Sequence, residues 1–208
     1  IKDIKGLVYD EFGKQIGKFG QKDFKDYSAT DGSTMYGDYR VKHYSPNLTT
    51  YPYTIVYSYE IKHGQNLFIP YWYPNRNNDL AVEKSSYQFT CKPDLNLRIK
   101  TENLQKEAVV TTNEKGKSYT WTATNINARK AEPFSPIEHP QKIMVKIVPQ
   151  SFQYYKKTGT VNDWKDLGKW IHDELLVGKQ DLPAATIEKA KQIASQYDNP
   201  KDKAKALY

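Results

Sequence analysis

The chain has 208 residues, a formal net charge of +7 and a mean hydropathy of −0.81. It is long enough to bury a sizeable core, and no apolar run reaches the roughly 20 residues that a membrane-spanning helix needs. The lysines are scattered along every segment and there are only four arginines, so we do not expect nucleic-acid binding, which requires clustered phosphate contacts.

Short alternating segments predict β-strands from the start of the chain. Apolar and polar residues alternate over 4–10, and the turn at 11–14 leads into a short return strand over 15–19. Further extended segments are expected at 23–28 and 35–44, with a loop between them at 30–33. The first part of the chain is therefore predicted to form antiparallel β-structure.

The stretch 51–74 is the most aromatic part of the chain. Side chains on a strand point alternately to opposite faces, and one parity here is almost entirely aromatic or branched: Tyr51, Tyr53, Ile55, Tyr57, Tyr59 and Ile61. A turn at 63–66 and an apolar run up to Pro74 follow, which predicts a hairpin at the centre of a sheet. We interpret the tyrosines as core residues; the alternative is an aromatic platform for a ligand.

Later strands are predicted at 82–91, 95–99, 107–112, 118–126 and 142–148, with turns between them. Their short, even spacing is typical of an antiparallel sandwich or barrel, and no helical pattern separates them, so a parallel sheet is not expected. The sequence therefore predicts a mainly β protein, with an antiparallel β-sandwich over 1–158.

Helical periodicity begins after Gly159. Residues 160–162 are a predicted N-cap, apolar residues recur at helical spacing over 164–175, and Gly178 is the predicted stop. A second helix is expected over 181–197, and Asn199-Pro200 is expected to start a third over 201–208. We assign 159–198 to a helical closing segment. The short last helix would be marginal alone, so we expect the natural polypeptide to continue.

Few residues are candidates for chemistry. Cys91, the single cysteine, excludes an internal disulfide framework and a cysteine-rich zinc site, and its place at the end of a predicted strand favours a buried, inert thiol over a nucleophile. The four histidines have no metal-binding spacing, so no metal or cofactor is predicted. Asp163 with Asp166 and Glu60 with Glu83 are possible carboxylate pairs. The sequence does not fix the distance between the two carboxyl groups of either pair, so it does not support a glycosidase site.

Four residues are candidates for a binding surface. Tyr71, Trp72 and Tyr73 form a cluster that would stack on a sugar ring or a peptide if exposed, although alternation favours core packing. His139 lies in a loop beside Glu138 and between two prolines, and loops carry functional residues more often than the elements that they connect. No catalytic residue is predicted.

Several segments together resemble a known family. They are 51–59 (YPYTIVYSY), 70–74 (PYWYP), 119–121 (YTW), 125–136 (NINARKAEPFSP) and 162–170 (NDWKDLGKW). In this order they resemble DUF3857, a domain of unknown function that precedes transglutaminase-like domains. Residues 202–208 (DKAKALY) look like the first helix of the transglutaminase-like part, so we assign 199–208 to a truncated downstream domain.

The resemblance implies a periplasmic or secreted multidomain protein of Bacteroidetes-type bacteria, in which a β-sandwich precedes a papain-like Cys-His-Asp domain. Neither Cys91, His139 nor Asp202 matches a catalytic residue of that domain. The expected function is therefore a non-catalytic accessory domain that packs on, or presents substrate to, its downstream domain. The alternatives are a glycan- or peptide-binding module and, with no supporting constellation of residues, a free-standing hydrolase.

Overall fold

The computed structural model describes residues 1–29, 37, 39–114, 116–130, 133–134, 142–179 and 181–208. In this part of the chain the protein is mainly β, with 41% strand and 19% helix, and antiparallel sheets are followed by three α-helices. The predicted fold class is confirmed. The chain divides into two compact units, 1–63 and 64–208; the predicted divisions after residues 158 and 198 stay predictions.

A three-stranded antiparallel sheet in the order β2-β1-β5 forms the first unit. Its strands are β1 (Lys2–Tyr9), β2 (Gln15–Gly20) and β5 (Thr54–Glu60). A short 3-10 turn and a separate hairpin lie between β2 and β5, namely Gln21–Asp23, β3 (Lys25–Ser28) and β4 (Arg40–His43). Across the hairpin, the Arg40 guanidinium lies 2.8 Å from the Asp26 carboxylate.

An aromatic cluster covers one face of this sheet. Phe19 is buried together with Ile4 and Val8, and its ring stacks on that of Tyr44 with 4.2 Å between centroids. The ring also lies directly over Gly6, where an added Cβ atom would overlap it. Gly6 is therefore required for the close approach of the Phe19 ring to β1.

The aromatic strand β5 lies at the edge of its sheet, and the predicted hairpin over 51–74 is wrong. β5 pairs with β1, not with residues 67–74. All seven of its residues are exposed, and Tyr57 and Tyr59 retain 61% and 52% of their accessible surface. The interpretation of the β5 tyrosines as core residues is wrong. Phe19 of β2 covers the buried part of the sheet, and the side chains of β5 stay exposed.

Two antiparallel sheets form most of the second unit. One has the order β6-β9-β8, with β6 (Val82–Cys91), β8 (Val109–Asn113) and β9 (Gly116–Ile126). The other pairs β7 (Leu97–Glu102) with β10 (Met144–Pro149). The predicted turn between β8 and β9 is confirmed: the Gly116 N–H donates to Asn113 Oδ1, and a Cβ at Gly116 would lie 2.9 Å from the Cys91 carbonyl oxygen.

The core of the second unit joins these two sheets. Trp121 of β9 is 1% exposed and packs with Val145 and Ile147 of β10. Tyr87 and Tyr119 flank the Trp121 ring, with centroids 5.7 Å and 5.9 Å away. Aromatic side chains from one sheet and branched side chains from the other therefore fill a sandwich-like interior.

Sequence reasoning missed a second hairpin. β11 (Ser151–Tyr154) pairs with β12 (Lys157–Thr160), and Tyr155 in the turn has a φ of +54°. Such turns usually contain Asn or Gly, so the sequence carries no turn signal there. The first helix packs on this hairpin, since Trp170 contacts Phe152 and its Nε1 donates to the Thr158 carbonyl at 2.8 Å.

Three helices end the chain: α1 (Trp164–Ile171), α2 (Ala184–Ala194) and α3 (Pro200–Leu207). A π-helical turn (His172–Leu176) extends α1, and Gly178 follows with a φ of +78°. As predicted, Asn199 caps α3 and Pro200 occupies its first turn. No helix in the described part of the chain has the length and apolar character to span a bilayer.

The cap of α1 differs from the prediction by one residue. Asp163 is the N-cap, and its Oδ1 accepts from the Asp166 N–H at 2.9 Å. In return, Asp166 Oδ2 accepts from the backbone N–H and the side-chain amide of Asn162. The first contact satisfies an N–H of the first helical turn that has no partner within the helix, and the second fixes the residue that precedes the cap.

Asp163→Ala is expected to destabilise the second unit by about 1 kcal/mol, because it removes the N-cap acceptor. Urea unfolding followed by circular dichroism measures the loss. Ser195→Ala, at the exposed C-cap of the next helix α2, is the control and should change the unfolding free energy by less than about 0.5 kcal/mol. Equal losses in the two variants would contradict a role specific to the cap.

The stability contributed by Asp166 should depend on pH. The hydrogen bonds from Asn162 hold the pKa of this carboxyl below its ordinary value, so the folded state favours the ionised form. The contribution is then present above the unfolded-state pKa and disappears as the pH falls through the folded-state pKa. The stability gap between wild type and Asp166→Asn should therefore be larger at about pH 7 than at about pH 3. A gap independent of pH would contradict this assignment.

Candidate functional site

Trp72 connects residues 71–73 to the second sheet of unit 64–208. The backbone N–H of Trp72 donates to the Val145 carbonyl at 3.0 Å, and the backbone N–H of Val145 donates to the Trp72 carbonyl at 3.1 Å. The indole stacks on Tyr87 with 6.0 Å between centroids, and Nε1 donates to Ser85 Oγ at 3.2 Å. Trp72 is therefore half-buried against the core, in an environment where burial raises the pKa of the Tyr87 phenol.

The neighbours of Trp72 face the other way. Side chains alternate along an extended segment, so Tyr71 and Tyr73 lie on the outer side of the sheet. Their rings form an edge-to-face pair with centroids 6.2 Å apart. Lys146 Nζ lies 5.1 Å from the Tyr71 centroid, and Lys142 Nζ lies 3.8 Å from the Tyr73 centroid. These four residues are named the tyrosine–lysine face.

Positive charge dominates around this face. On β7, Lys100 is the cross-strand partner of Lys146, and Lys100 Nζ lies 2.8 Å from a Glu102 carboxylate oxygen. The hydrogen bond from Lys100 is the main reason that the pKa of Glu102 lies below its ordinary value, and the charge of Lys146 lowers it further. Among the described carboxylates, none lies within ion-pair distance of Lys142 or Lys146.

The structure separates the three described residues among the four that the sequence suggested for binding. Tyr71 is exposed and Tyr73 half-buried on the outer side, whereas Trp72 lies against the core. His139 lies outside the described residues. Lys142 and Lys146 were missed, although the even parity that they share within 142–148 was a usable signal.

The other chemical candidates lie apart. Cys91 is half-buried, and its thiol donates to the Lys117 carbonyl at 3.7 Å. Asp163 and Asp166 are engaged in the helix cap. His172 lies beside Asp173, 2.9 Å from its carboxylate, on the exposed π-helical turn. Across the described residues, no group of three or more His, Cys, Asp or Glu side chains is placed to hold a metal ion.

Comparison with known proteins places this fold in context. The model of DUF3857, a domain of unknown function with a solved structure, matches residues 1–130. No curated protein matches the chain. The structure is similar to part of the crystal structure of a "putative protease" from Parabacteroides distasonis, with a TM-score of 0.65 and 14% identity. That likeness shows the fold alone. It covers 99% of this chain and 38% of the other, so the chain spans well under half of that protein's length.

Proposed function

The chain belongs to the DUF3857 family, and on that premise we propose that it is a non-catalytic accessory domain of a longer transglutaminase-like or protease-like protein. It packs on a downstream domain and presents substrate to it. One observation carries the proposal: the structural similarity covers 99% of this chain but only 38% of the solved structure, so the same fold is one part of a longer polypeptide there.

The exposed face of β5 is the proposed docking surface for the downstream domain. Ile55, Tyr57 and Tyr59 are exposed on one face of this edge strand, and Ile61 continues the apolar series beyond it. Exposed apolar patches on sheet edges promote association unless another element covers them. A neighbouring domain of the same polypeptide would cover β5 in every molecule and so prevent self-association.

The chemistry is assigned to the downstream domain. Acyl transfer requires a nucleophile, a base and a group that orients the base, all within hydrogen-bond reach. Cys91 donates to a backbone carbonyl, and the family resemblance gives it no catalytic role. A periplasmic or secreted location is part of the same proposal, and fractionation of cells that express the natural gene tests it.

The first experiment reads the gene beyond Tyr208 and compares the encoded longer polypeptide with the 208-residue chain. We expect Cys, His and Asp in papain-like order and a higher melting temperature for the DUF3857 part. A gene that ends here, or an unchanged melting temperature, would contradict the proposal.

A pair of variants locates the docking surface. Tyr57→Ser with Tyr59→Ser should lower the melting temperature of the longer polypeptide but change the stability of the 208-residue chain by less than about 0.5 kcal/mol. Phe12→Ser is the matched control, because Phe12 is 87% exposed in the turn between β1 and β2 of the same unit. If Phe12→Ser has the same effect in the longer polypeptide, β5 is not the docking surface.

A second candidate function is a glycan- or peptide-binding module. The observation that favours it is the outward placement of Tyr71 and Tyr73 beside two lysines. Trp72 contributes to such a site through its position in the fold, because its indole packs inward. Binding that is lost in Tyr71→Ala and kept in Tyr27→Ala, an exposed tyrosine of the other unit, would support it.

A further inference from the structure

We propose that the tyrosine–lysine face binds an extended acidic peptide that carries carboxylates two residues apart. The inference rests on the proposed function, because it names the class of substrate that an accessory domain would present. It concerns Tyr71, Tyr73, Lys142 and Lys146, all of which belong to the second unit.

Spacing is the first argument. Each tyrosine of the face has one ammonium group over its ring, and the two rings are 6.2 Å apart. In an extended peptide every second side chain lies on the same face, at a repeat of about 6.6 Å. The ring spacing therefore matches the side chains at positions i and i+2 of such a peptide, whose stems would lie one against each ring with their carboxylates beside the ammonium groups.

Charge is the second argument. Lys100 is already paired with Glu102, whereas Lys142 and Lys146 have no described carboxylate within ion-pair distance. Both ammonium groups are instead held over aromatic rings, an interaction worth about 0.5–1 kcal/mol at exposed sites. A peptide carboxylate would add a charge-assisted hydrogen bond to each ammonium without breaking an existing ion pair.

The third argument separates a peptide from a glycan. A neutral sugar would use only the rings, whereas here each tyrosine ring has a lysine ammonium over one face, so a ligand that carries negative charge can use both groups. The rings then supply apolar contact to the stems of acidic side chains, and the ammonium groups supply the charge. This arrangement favours carboxylate side chains on an extended backbone.

The test measures binding of a fluorescently labelled peptide to the 208-residue chain by anisotropy. The peptide carries Glu at i and i+2 among Thr, Val and Ser residues that favour an extended backbone. One control replaces both Glu by Gln. The other places the Glu residues at i and i+1, which lie on opposite faces of a strand. We expect measurable binding of the first peptide only, and weaker binding as salt is raised.

Protein variants locate the site. Lys142→Glu with Lys146→Glu should weaken binding about tenfold or more, since two charge contacts are lost and repulsion is added. Lys189→Glu with Lys191→Glu makes the same change of net charge on helix α2 and should have little effect. Circular dichroism shows whether each variant is folded. If the charge reversal disturbs the sheet, Lys142→Gln with Lys146→Gln replaces it as the test variant, and this variant should weaken binding by an intermediate amount.

Several results would overturn the proposal: no binding, equal binding of the Gln or the i, i+1 peptide, or an equal loss in the α2 variants. Lysine-dependent binding of polygalacturonate in place of the peptide would assign the face to an acidic glycan instead. The melting comparison of the longer polypeptide keeps the two claims distinct. Peptide binding without a melting shift rejects the docking function alone, and a shift without peptide binding rejects this inference alone.

Discussion

Trp121→Ala is expected to destabilise the second unit by about 3–5 kcal/mol, the usual cost of removing a large aromatic side chain from a core. Trp121 is 1% exposed, packs on Val145 and Ile147, and lies between the rings of Tyr87 and Tyr119. Its loss removes the main contact between the two sheets. Urea unfolding monitored by far-ultraviolet circular dichroism measures the change in unfolding free energy.

Two further tryptophan variants sharpen this prediction. Trp164 is 86% exposed, so Trp164→Ala should change stability by less than about 0.5 kcal/mol. The Trp121 Nε1 is buried without a hydrogen-bond partner among the described residues, so Trp121→Phe keeps an aromatic ring and removes an unsatisfied donor. It should therefore cost clearly less than Trp121→Ala. Equal costs for the two Trp121 substitutions would show that ring packing is not the source of the stability.

Gly6→Ala is expected to destabilise the first unit by about 1–3 kcal/mol through overpacking. The added Cβ atom overlaps the Phe19 ring, which is held by Tyr44 and Phe24 and cannot move without breaking those contacts. Gly17→Ala is the matched control on β2, because a Cβ there meets Val8 at an ordinary 3.6 Å. The measurement is again the free energy of unfolding in urea.

A double variant tests the cause of the Gly6 effect. In a Phe19→Leu background the clash is relieved, so Gly6→Ala should cost less than it does in wild type, with a coupling energy of about 0.5–3 kcal/mol. Additive costs would mean that the strain arises elsewhere in the sheet. A Gly17→Ala loss as large as that of Gly6→Ala would also contradict the explanation.

Local pattern predicted much of this fold. The strand over 82–91 was found with the same bounds as β6, because ten alternating residues end at the Lys92-Pro93 turn. The N-cap of α3 was likewise fixed by local chemistry at Asn199 and Pro200. In both cases the signal lies within the element, and burial of one face or satisfaction of one cap is enough to specify the structure.

Alternation was less informative about burial. It separated the two faces of β5 but did not determine which strand would lie beside it or what would cover either face. Phe19, on another strand, fills the space over β1, and Tyr57, which was expected to be a core residue, stays exposed. In the same way, the backbone bridge from Trp72 to Val145 decides that Trp72 packs inward while Tyr71 and Tyr73 point outward.

The pairing of the tyrosines with Lys142 and Lys146 depends on contacts between residues about 70 positions apart. No local pattern encodes such a contact, because it arises only when 71–73 align with β10. The hairpin of β11 and β12 was missed for a different reason: its turn contains Tyr155 instead of a residue that favours positive φ.

Hydrogen exchange of β5 tests the accessory-domain proposal most directly. The amides of Thr54–Glu60 are compared in the 208-residue chain and in the longer polypeptide that the proposal expects its gene to encode, with β6 as an internal reference. If a downstream domain covers this edge strand, exchange of the β5 amides becomes slower in the longer polypeptide while exchange in β6 changes little. Equal exchange of β5 in the two proteins would contradict the proposal that β5 is where this domain joins the rest of its protein.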